Sequence, residues 1–336
     1  MTRAAIIGTG CWLPGRVVTN DDLAAVIDTT DAWITERSGI RERRWLARDA
    51  DGRTEITGAE MGARAARAAI AAAGIDKDAI DQVIYATLNP DVFFPGNGVF
   101  LEHLLELRTA GALDVRNQCT GFVYGLAVAD GFIQSGLART VLVVGGEIQT
   151  TALDLTDRGR DIAVLFGDGA GAAVVQATDE DRGILASVLH SQGRYARELF
   201  LEAPVATLTE RVTPAMLAEG RHFPHMNGKL VFQHATRRFG EAIDEVLRKG
   251  GVAPDDVALF VPHQANQRIT DAVTARLGVP AERVYSNIAR YGNTTAASIP
   301  IALAEAEREG RLRRGDLVVT VAFGSGFTWG ANLIRW

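Results

Sequence analysis

Two passages of the chain echo each other at a separation that few folds can produce. GIDKDAIDQVIYATLNP (74–90) and GVAPDDVALFVPHQAN (251–266) each give a glycine helix stop, an acidic turn and then a buried strand. SGLARTVLVVGGE (135–147) is likewise matched by EGRLRRGDLVVTVAFGSG (309–326). Both comparisons give an offset of about 175 residues, far longer than a solenoid period. At 336 residues the chain also exceeds the usual size of one core. Two related halves, residues 1–177 and 178–336, account for the length and the echo together.

Within each half, strand-like runs alternate with helical ones. AAIIGTG, DQVIYATL, GALDV, TVLVVGGE and GAAVVQA read as buried strands, and AEMGARAARAAIAAAG reads as an Ala-rich helix that stops at Gly74. The alternation predicts an α/β protein. The many alanines and 35 glycines predict helices packed tightly on sheets. A net charge of −6 gives no general electrostatic case for nucleic acid or an anionic membrane. No apolar run approaches a membrane span, and the N-terminus enters a strand without the pattern of a signal peptide. Two cysteines far apart fit a reducing cytoplasm.

In the register of the duplication, LDVRNQCTGFVYGLAVADGF occupies the place of YSNIARYGNTTAASIPIALAEA. Cys119 and Asn293 are then equivalent, each at the start of a helix after a strand, and His263 follows the strand that echoes QVIYATL. The three are expected to meet where the halves face each other. A cysteine at a helix N-terminus feels the positive end of the dipole, which favours the thiolate that attacks a thioester. The bland alternatives are a buried cysteine acting as a small hydrophobe and an asparagine acting as a helix cap. Polar Asn117, Gln118 and Thr120 around Cys119 speak against the first. In VPHQANQRI, His263, Gln264, Asn266 and Arg268 follow a buried strand, as at a strand end opening onto a site. AFGSGFTWG offers flexible backbone whose N–H groups could face an oxyanion.

These segments together resemble the β-ketoacyl-acyl-carrier-protein synthase III family of the thiolase fold. GNTTAAS, PHQAN and the cysteine of CTGFVYGL carry the resemblance, which runs from IIGTGCWLPGRVVTNDDL to FTWGANLIRW. It implies two duplicated αβαβα halves forming a five-layered core. It implies a Cys119, His263 and Asn293 triad, with the backbone N–H groups of Cys119 and Ser325 as oxyanion hole. DTTDAWITERSGIRER resembles the segment at the pantetheine tunnel entrance. There Trp33 would stack on the adenine of coenzyme A, Arg37 would lie near its phosphates, and Arg158 would cover the other face of the adenine. Asn266 would hydrogen-bond pantetheine, and Arg268 would belong to the carrier-protein docking patch. Phe94 would cross a homodimer interface to close the partner's acyl pocket. The implied reaction takes an acyl group from acyl-coenzyme A onto Cys119 and joins it, with decarboxylation, to malonyl-acyl-carrier protein. The family implies no metal and no cofactor beyond these substrates.

The chain departs from the family pattern at Asn117 and Gln118, at FPGNGVF and at Tyr291, which leaves the starter acyl group open. Gln233 stands where a basic residue is common, which leaves the carrier open, although Lys229, Arg237 and Arg238 are near. Acyl transfer to another nucleophile, condensation without decarboxylation and an inactive binding scaffold are the rival readings. A degradative thiolase wants a second reactive cysteine, and Cys11 is expected in an unrelated loop. GTGCWLPG is no dinucleotide loop, because Pro14 and Gly15 arrive where a helix should begin. FGDGAGAA lacks the Lys-Ser/Thr of a P-loop. His222, His225 and His234 have no Cys or carboxylate at helpful spacing for a metal.

Overall fold

The computed structural model describes residues 2–336. The first sheet holds strands β1 (Arg3–Trp12), β2 (Gln82–Ala86), β3 (Gly111–Val115), β4 (Thr140–Glu147) and β5 (Gly169–Thr178). The second holds β6 (Gly183–Ser191), β7 (Leu259–Pro262), β8 (Leu317–Gly324) and β9 (Thr328–Arg335). Their spatial orders are β1-β5-β4-β2-β3 and β7-β8-β9-β6. Both sheets are mixed in the same way. In the first, β4, β2 and β3 run parallel while β5 is antiparallel to β1 and β4. In the second, β7 and β8 run parallel while β9 is antiparallel to β8 and β6. An isolated parallel bridge from Phe260 to Val284 stands where β3 stands in the first half. The duplication read from the sequence is therefore the topology of the molecule.

Helices α1 (Asp31–Ser38), α2 (Gly58–Ala73), α3 (Asn97–Leu104), α4 (Gly121–Gln134), α5 (Gly228–Gly250), α6 (Gln267–Leu277) and α7 (Ser298–Arg308) complete the main elements. α4 and α7 lie between the two sheets, where Phe122, Leu126, Ile299 and Leu303 pack with Val143, Val175, Val318 and Ile334. α2 covers the outer face of the first sheet through Met61, Ala65 and Ala69. α5 and α6 cover the second through Phe239, Ile243, Ile269 and Val273. The layers run α-β-α-β-α, the thiolase-like arrangement. Glycine and alanine make the close packing possible. A Cβ on Gly8 would stand 2.4 Å from the backbone nitrogen of Ala73 in α2, and one on Gly10 2.4 Å from that of Ala69. α2 stops at Gly74 with φ 64°, a left-handed cap that favours glycine.

Two expectations change. Cys11 is not in a loop: it lies in β1, paired with Gly171 of β5, and is half-buried. GALDV is a strand but not a buried one, because it forms the open edge of the first sheet and leaves Leu113 exposed. Beyond the C-terminal end of β3, the turn that leads into α4 packs against the C-terminal end of β8 at the seam between halves. Ligands of α/β sheets bind beyond such strand ends.

Candidate active site

Cys119 sits in a single 3-10 turn, Gln118–Thr120, between β3 and α4. Gln118 adopts φ 44°, a left-handed conformation uncommon for a side chain of its size. Two glycines let other elements close on the thiol. A Cβ at Gly121 would lie 2.8 Å from that of Ala86, and one at Gly324 would lie 2.9 Å from the Cβ of Cys119. The end of β8 thus abuts the nucleophile, and Ser325 follows directly. Thr120 Oγ1 and Thr328 Oγ1 are 2.9 Å apart, and the Thr328 hydroxyl donates to the Ser325 carbonyl at 3.0 Å. These bonds tie the turn of one half to the β8–β9 hairpin of the other. The Ser325 hydroxyl is itself occupied, donating to the Leu199 carbonyl.

The electrostatics at Cys119 differ from the expected thiolate. Burial, then the charge of Glu147, pushes the thiol up to about 12. The full helix begins two residues later at Gly121, so its dipole acts at one remove while desolvation acts on the sulfur itself. Cys119 is a neutral thiol in the resting protein.

His263 follows β7, and its N–H donates to the Val321 carbonyl of β8 at 2.8 Å. The ring is buried, and burial lowers its pKa to about 3, so the imidazole is neutral. Nδ1 lies 2.6 Å from Ser298 Oγ, while Nε2 is buried with no hydrogen-bond partner among the described residues. Asn293 is held by the other half: its N–H donates to the Leu165 carbonyl at 2.8 Å, and its carbonyl accepts from Gly167 N–H at 3.1 Å. Gly292 before it has φ 63°, and a Cβ there would meet the Leu165 carbonyl oxygen at 2.7 Å. Asn293 Oδ1 accepts from Thr295 N–H at 2.8 Å, and among the described residues its amide nitrogen has no acceptor. Cys119 thus lies against the end of β8 and His263 is bonded to the same strand, while Asn293 is anchored to the 165–167 loop.

The other predicted residues fall into two groups. Trp33 and Arg37 lie on α1, with the Arg37 guanidinium 4.3 Å from the indole centroid. Arg160, unpredicted, lies 5.1 Å from the same indole. Arg158 instead pairs with Asp154 at 2.6 Å and lines an open cavity of about 400 Å³ with Phe223 and Arg221. None of Cys119, His263 and Asn293 lines that cavity. Asn266 caps α6 by accepting from Arg268 N–H at 2.9 Å, and its amide nitrogen donates to the Arg37 carbonyl at 2.9 Å. Arg268 is exposed, with its guanidinium 5.3 Å from the Phe232 ring on α5. Phe94 is 80% exposed.

Gln264 does not open onto the site. It is buried, donates to the Pro262 carbonyl at 2.7 Å and accepts from Asn287 N–H at 3.0 Å. Tyr291 also turns away, donating to Glu305 at 2.6 Å. The three histidines do not form a metal site: His234 packs with Tyr195 and Phe327, His222 with Phe223, and His225 with Phe200. Among the described residues no group of potential ligands is placed to hold a metal ion.

Three residues beneath the site escaped the sequence reading. Glu147, fully buried at the end of β4, accepts from Leu88 N–H at 3.0 Å and Thr87 Oγ1 at 3.2 Å. Burial raises its carboxyl to about 8. A carboxylate ending an otherwise apolar run was the available signal. Asp168 accepts from Gln149 N–H at 2.6 Å, Thr150 N–H at 3.0 Å and Leu46 N–H at 2.9 Å. Arg43 is buried, with no carboxylate partner among the described residues. It donates to the Val164 carbonyl at 2.7 Å, one residue before the carbonyl that holds Asn293. No local pattern marked either.

A duplicated α/β fold of this layering, with a buried thiol and a neutral imidazole held at β8, is the frame of an acyl-transferring condensing enzyme. Residues 113–193 match the family model "3-Oxoacyl-[acyl-carrier-protein (ACP)] synthase III", and residues 247–336 match the model of its C-terminal part. The chain is 45% identical to a β-ketoacyl-[acyl-carrier-protein] synthase III of Roseiflexus sp. (strain RS-1), covering 99% of this chain and 98% of that one. The Rhodospirillum centenum synthase III is 43% identical, with 99% of each chain covered. Among solved structures, the Aquifex aeolicus 3-oxoacyl-[acyl-carrier-protein] synthase III superposes with a TM-score of 0.89 at 41% identity, covering 99% and 100% of the chains. The priming β-ketosynthase of the R1128 polyketide biosynthetic pathway gives 0.88 at 34% identity, covering 99% and 96%. The chain belongs to the β-ketoacyl-acyl-carrier-protein synthase III family.

Proposed function

We propose that this enzyme primes chain synthesis by condensing an acyl group from acyl-coenzyme A with malonyl-acyl-carrier protein, through Cys119, His263 and Asn293. The observation that carries the reading is His263 Nε2, a buried ring nitrogen with no hydrogen-bond partner among the described residues. In the first half-reaction Sγ attacks the thioester carbonyl. The backbone N–H groups of Cys119 and Ser325 receive the oxyanion, and the thiol proton ends on the departing coenzyme A sulfur. In the second, malonyl thioester loses CO₂ and negative charge builds on its thioester oxygen, where His263 and Asn293 donate. The new carbon–carbon bond forms as the acyl–sulfur bond breaks, and the departing Sγ thiolate takes a proton from water.

Trp33 with Arg37, Arg158 and Asn266 forms the coenzyme A approach, Arg268 the carrier-docking patch, and Phe94 closes the partner's acyl pocket in a cytoplasmic homodimer. The two halves meet at residues 177 and 178, the first carrying the nucleophile and the second His263 and Asn293. Support for the dimer comes from the open edge at β3 and from exposed Phe93, Phe94 and Leu113, since burying one Phe contributes roughly 1.5–3 kcal/mol.

The test is paired. Intact-protein mass spectrometry after mixing with acyl-coenzyme A should show one acyl adduct per chain, absent in Cys119→Ala. Malonyl carrier labelled with ¹⁴C in its free carboxyl should then release ¹⁴CO₂ with product. Product without CO₂ would establish the non-decarboxylative reaction instead.

A further inference from the structure

His263 touches one side chain that no part of the reaction scheme uses. Ser298 opens α7 and is buried, with Oγ 2.6 Å from Nδ1 of the imidazole. The same oxygen accepts from Gln264 N–H at 3.4 Å. Among the described residues Oγ makes no other hydrogen bond.

A hydroxyl has one proton and two lone pairs. Gln264 N–H occupies one lone pair. If Nδ1 carried the ring proton, it would take the second, and the buried serine proton would be left with no acceptor among the described residues. Orphaning a buried donor costs about 1–3 kcal/mol. The satisfied arrangement has the Ser298 hydroxyl donating to Nδ1. A neutral imidazole then carries its proton on Nε2, the nitrogen that has no protein partner.

We infer that Ser298 is a positioning residue that fixes His263 in the Nε2–H tautomer, so that the imidazole meets the malonyl thioester oxygen as a hydrogen-bond donor. Ser298 stands five residues after Asn293, at the start of the helix that the Asn293 turn leads into. One segment therefore delivers the amide donor and sets the proton of the imidazole donor. Acylation of Cys119 relies on backbone N–H groups and does not need this tautomer. This inference rests on the reading of His263 as a donor to the condensing substrate.

The first measurement needs no variant. ¹⁵N NMR of histidine-labelled protein, with His263 assigned by comparison with His263→Gln, should show Nε2 protonated and Nδ1 as an unprotonated acceptor. A protonated Nδ1 overturns the proposal. Ser298→Ala should then show a mixture of tautomers and slow ¹⁴CO₂ release by about 10- to 100-fold, with acyl-adduct formation changed less than about threefold. Ser298→Thr keeps the hydroxyl and should restore most of the lost condensation. Equal loss of acylation and condensation in Ser298→Ala, or no rescue by Ser298→Thr, overturns it. Wild-type protein that condenses without releasing CO₂ would refute the synthase reading while the tautomer remained separately decided by NMR.

Discussion

Cys119 carries a proton at rest because burial outweighs the dipole of a helix that starts beyond it. Its reactivity should therefore follow ionisation across the neutral range. The rate of alkylation by iodoacetamide should climb about tenfold per pH unit, with no plateau below about pH 9. A plateau near neutral pH would mean that the thiolate is already formed. Asn293→Ala should still acquire the acyl adduct but lose about 100- to 1000-fold in ¹⁴CO₂ release, the usual cost of one well-aimed donor. Condensation at the wild-type rate would remove Asn293 from the site. Glu147 gives a stability prediction with a definite sign. Its carboxyl is raised to about 8 in the folded protein, above the ordinary glutamate value. Between those two values the folded state holds a proton that the unfolded state has lost. Stability therefore falls as pH rises through that window, and the penalty is complete above about pH 8. Thermal melts of Glu147→Gln and wild type should differ little near pH 5 and favour the variant by roughly a few kcal/mol near pH 9.

At the scale of elements, the site depends on how near the β8–β9 hairpin comes to the nucleophile turn. Gly324 leaves no room for a side chain, since a Cβ there would lie 2.9 Å from that of Cys119. The atoms it would meet are no flexible side-chain end: they are the Cβ, N and Cα of Cys119 itself, while Gly324 is held in its strand ladder. Gly324→Ala should cost about 1–3 kcal/mol of stability and displace Sγ, which slows acyl-adduct formation more than it lowers the melting temperature. Rapid-quench mass spectrometry beside a thermal melt would separate the two effects. Support for Asn293 comes from farther off. Arg43 on the N-terminal side holds the 164–167 loop, and that loop brackets Asn293 through Leu165 and Gly167. Glu305 on α7 gathers Asn287 at 2.9 Å, Arg290 at 2.9 Å and Tyr291 at 2.6 Å, which secures the same turn from the other side.

The whole molecule has an exposed apolar flank where the first sheet ends. Leu113 on the edge strand is 38% exposed, and Phe93 and Phe94 project nearby in sequence terms before α3. A second copy adding to β3 would remove both the open edge and the apolar surface from water. Light scattering at micromolar concentration should report twice the 36.0 kDa chain mass. Leu113→Asp places a charge on that edge and should shift the protein toward a single chain. A monomeric wild type would leave Phe94 with no partner pocket to close.

The pairing of halves was legible because a duplicated topology repeats the same order of helix stops, turns and strands, and that order is local. The places of Cys119 and His263 just after strands were legible for the same reason, whereas Asn293, expected after a strand, instead follows a short helix over Ile288–Tyr291. Properties that depend on what surrounds a group in space were not legible. The state of the Cys119 thiol turned on desolvation by elements distant in the chain. Gln264 and Tyr291 looked like site residues beside the motifs that carry them, yet tertiary partners at Asn287 and Glu305 turn them inward. GALDV read as a buried strand because periodicity reports apolarity but not which strands border it. Ser298, Glu147 and Arg43 stayed hidden because each acts on a residue well separated in sequence, and only the tertiary fold brings a hydroxyl to Nδ1, a carboxyl near the thiol and a guanidinium under the loop that holds Asn293.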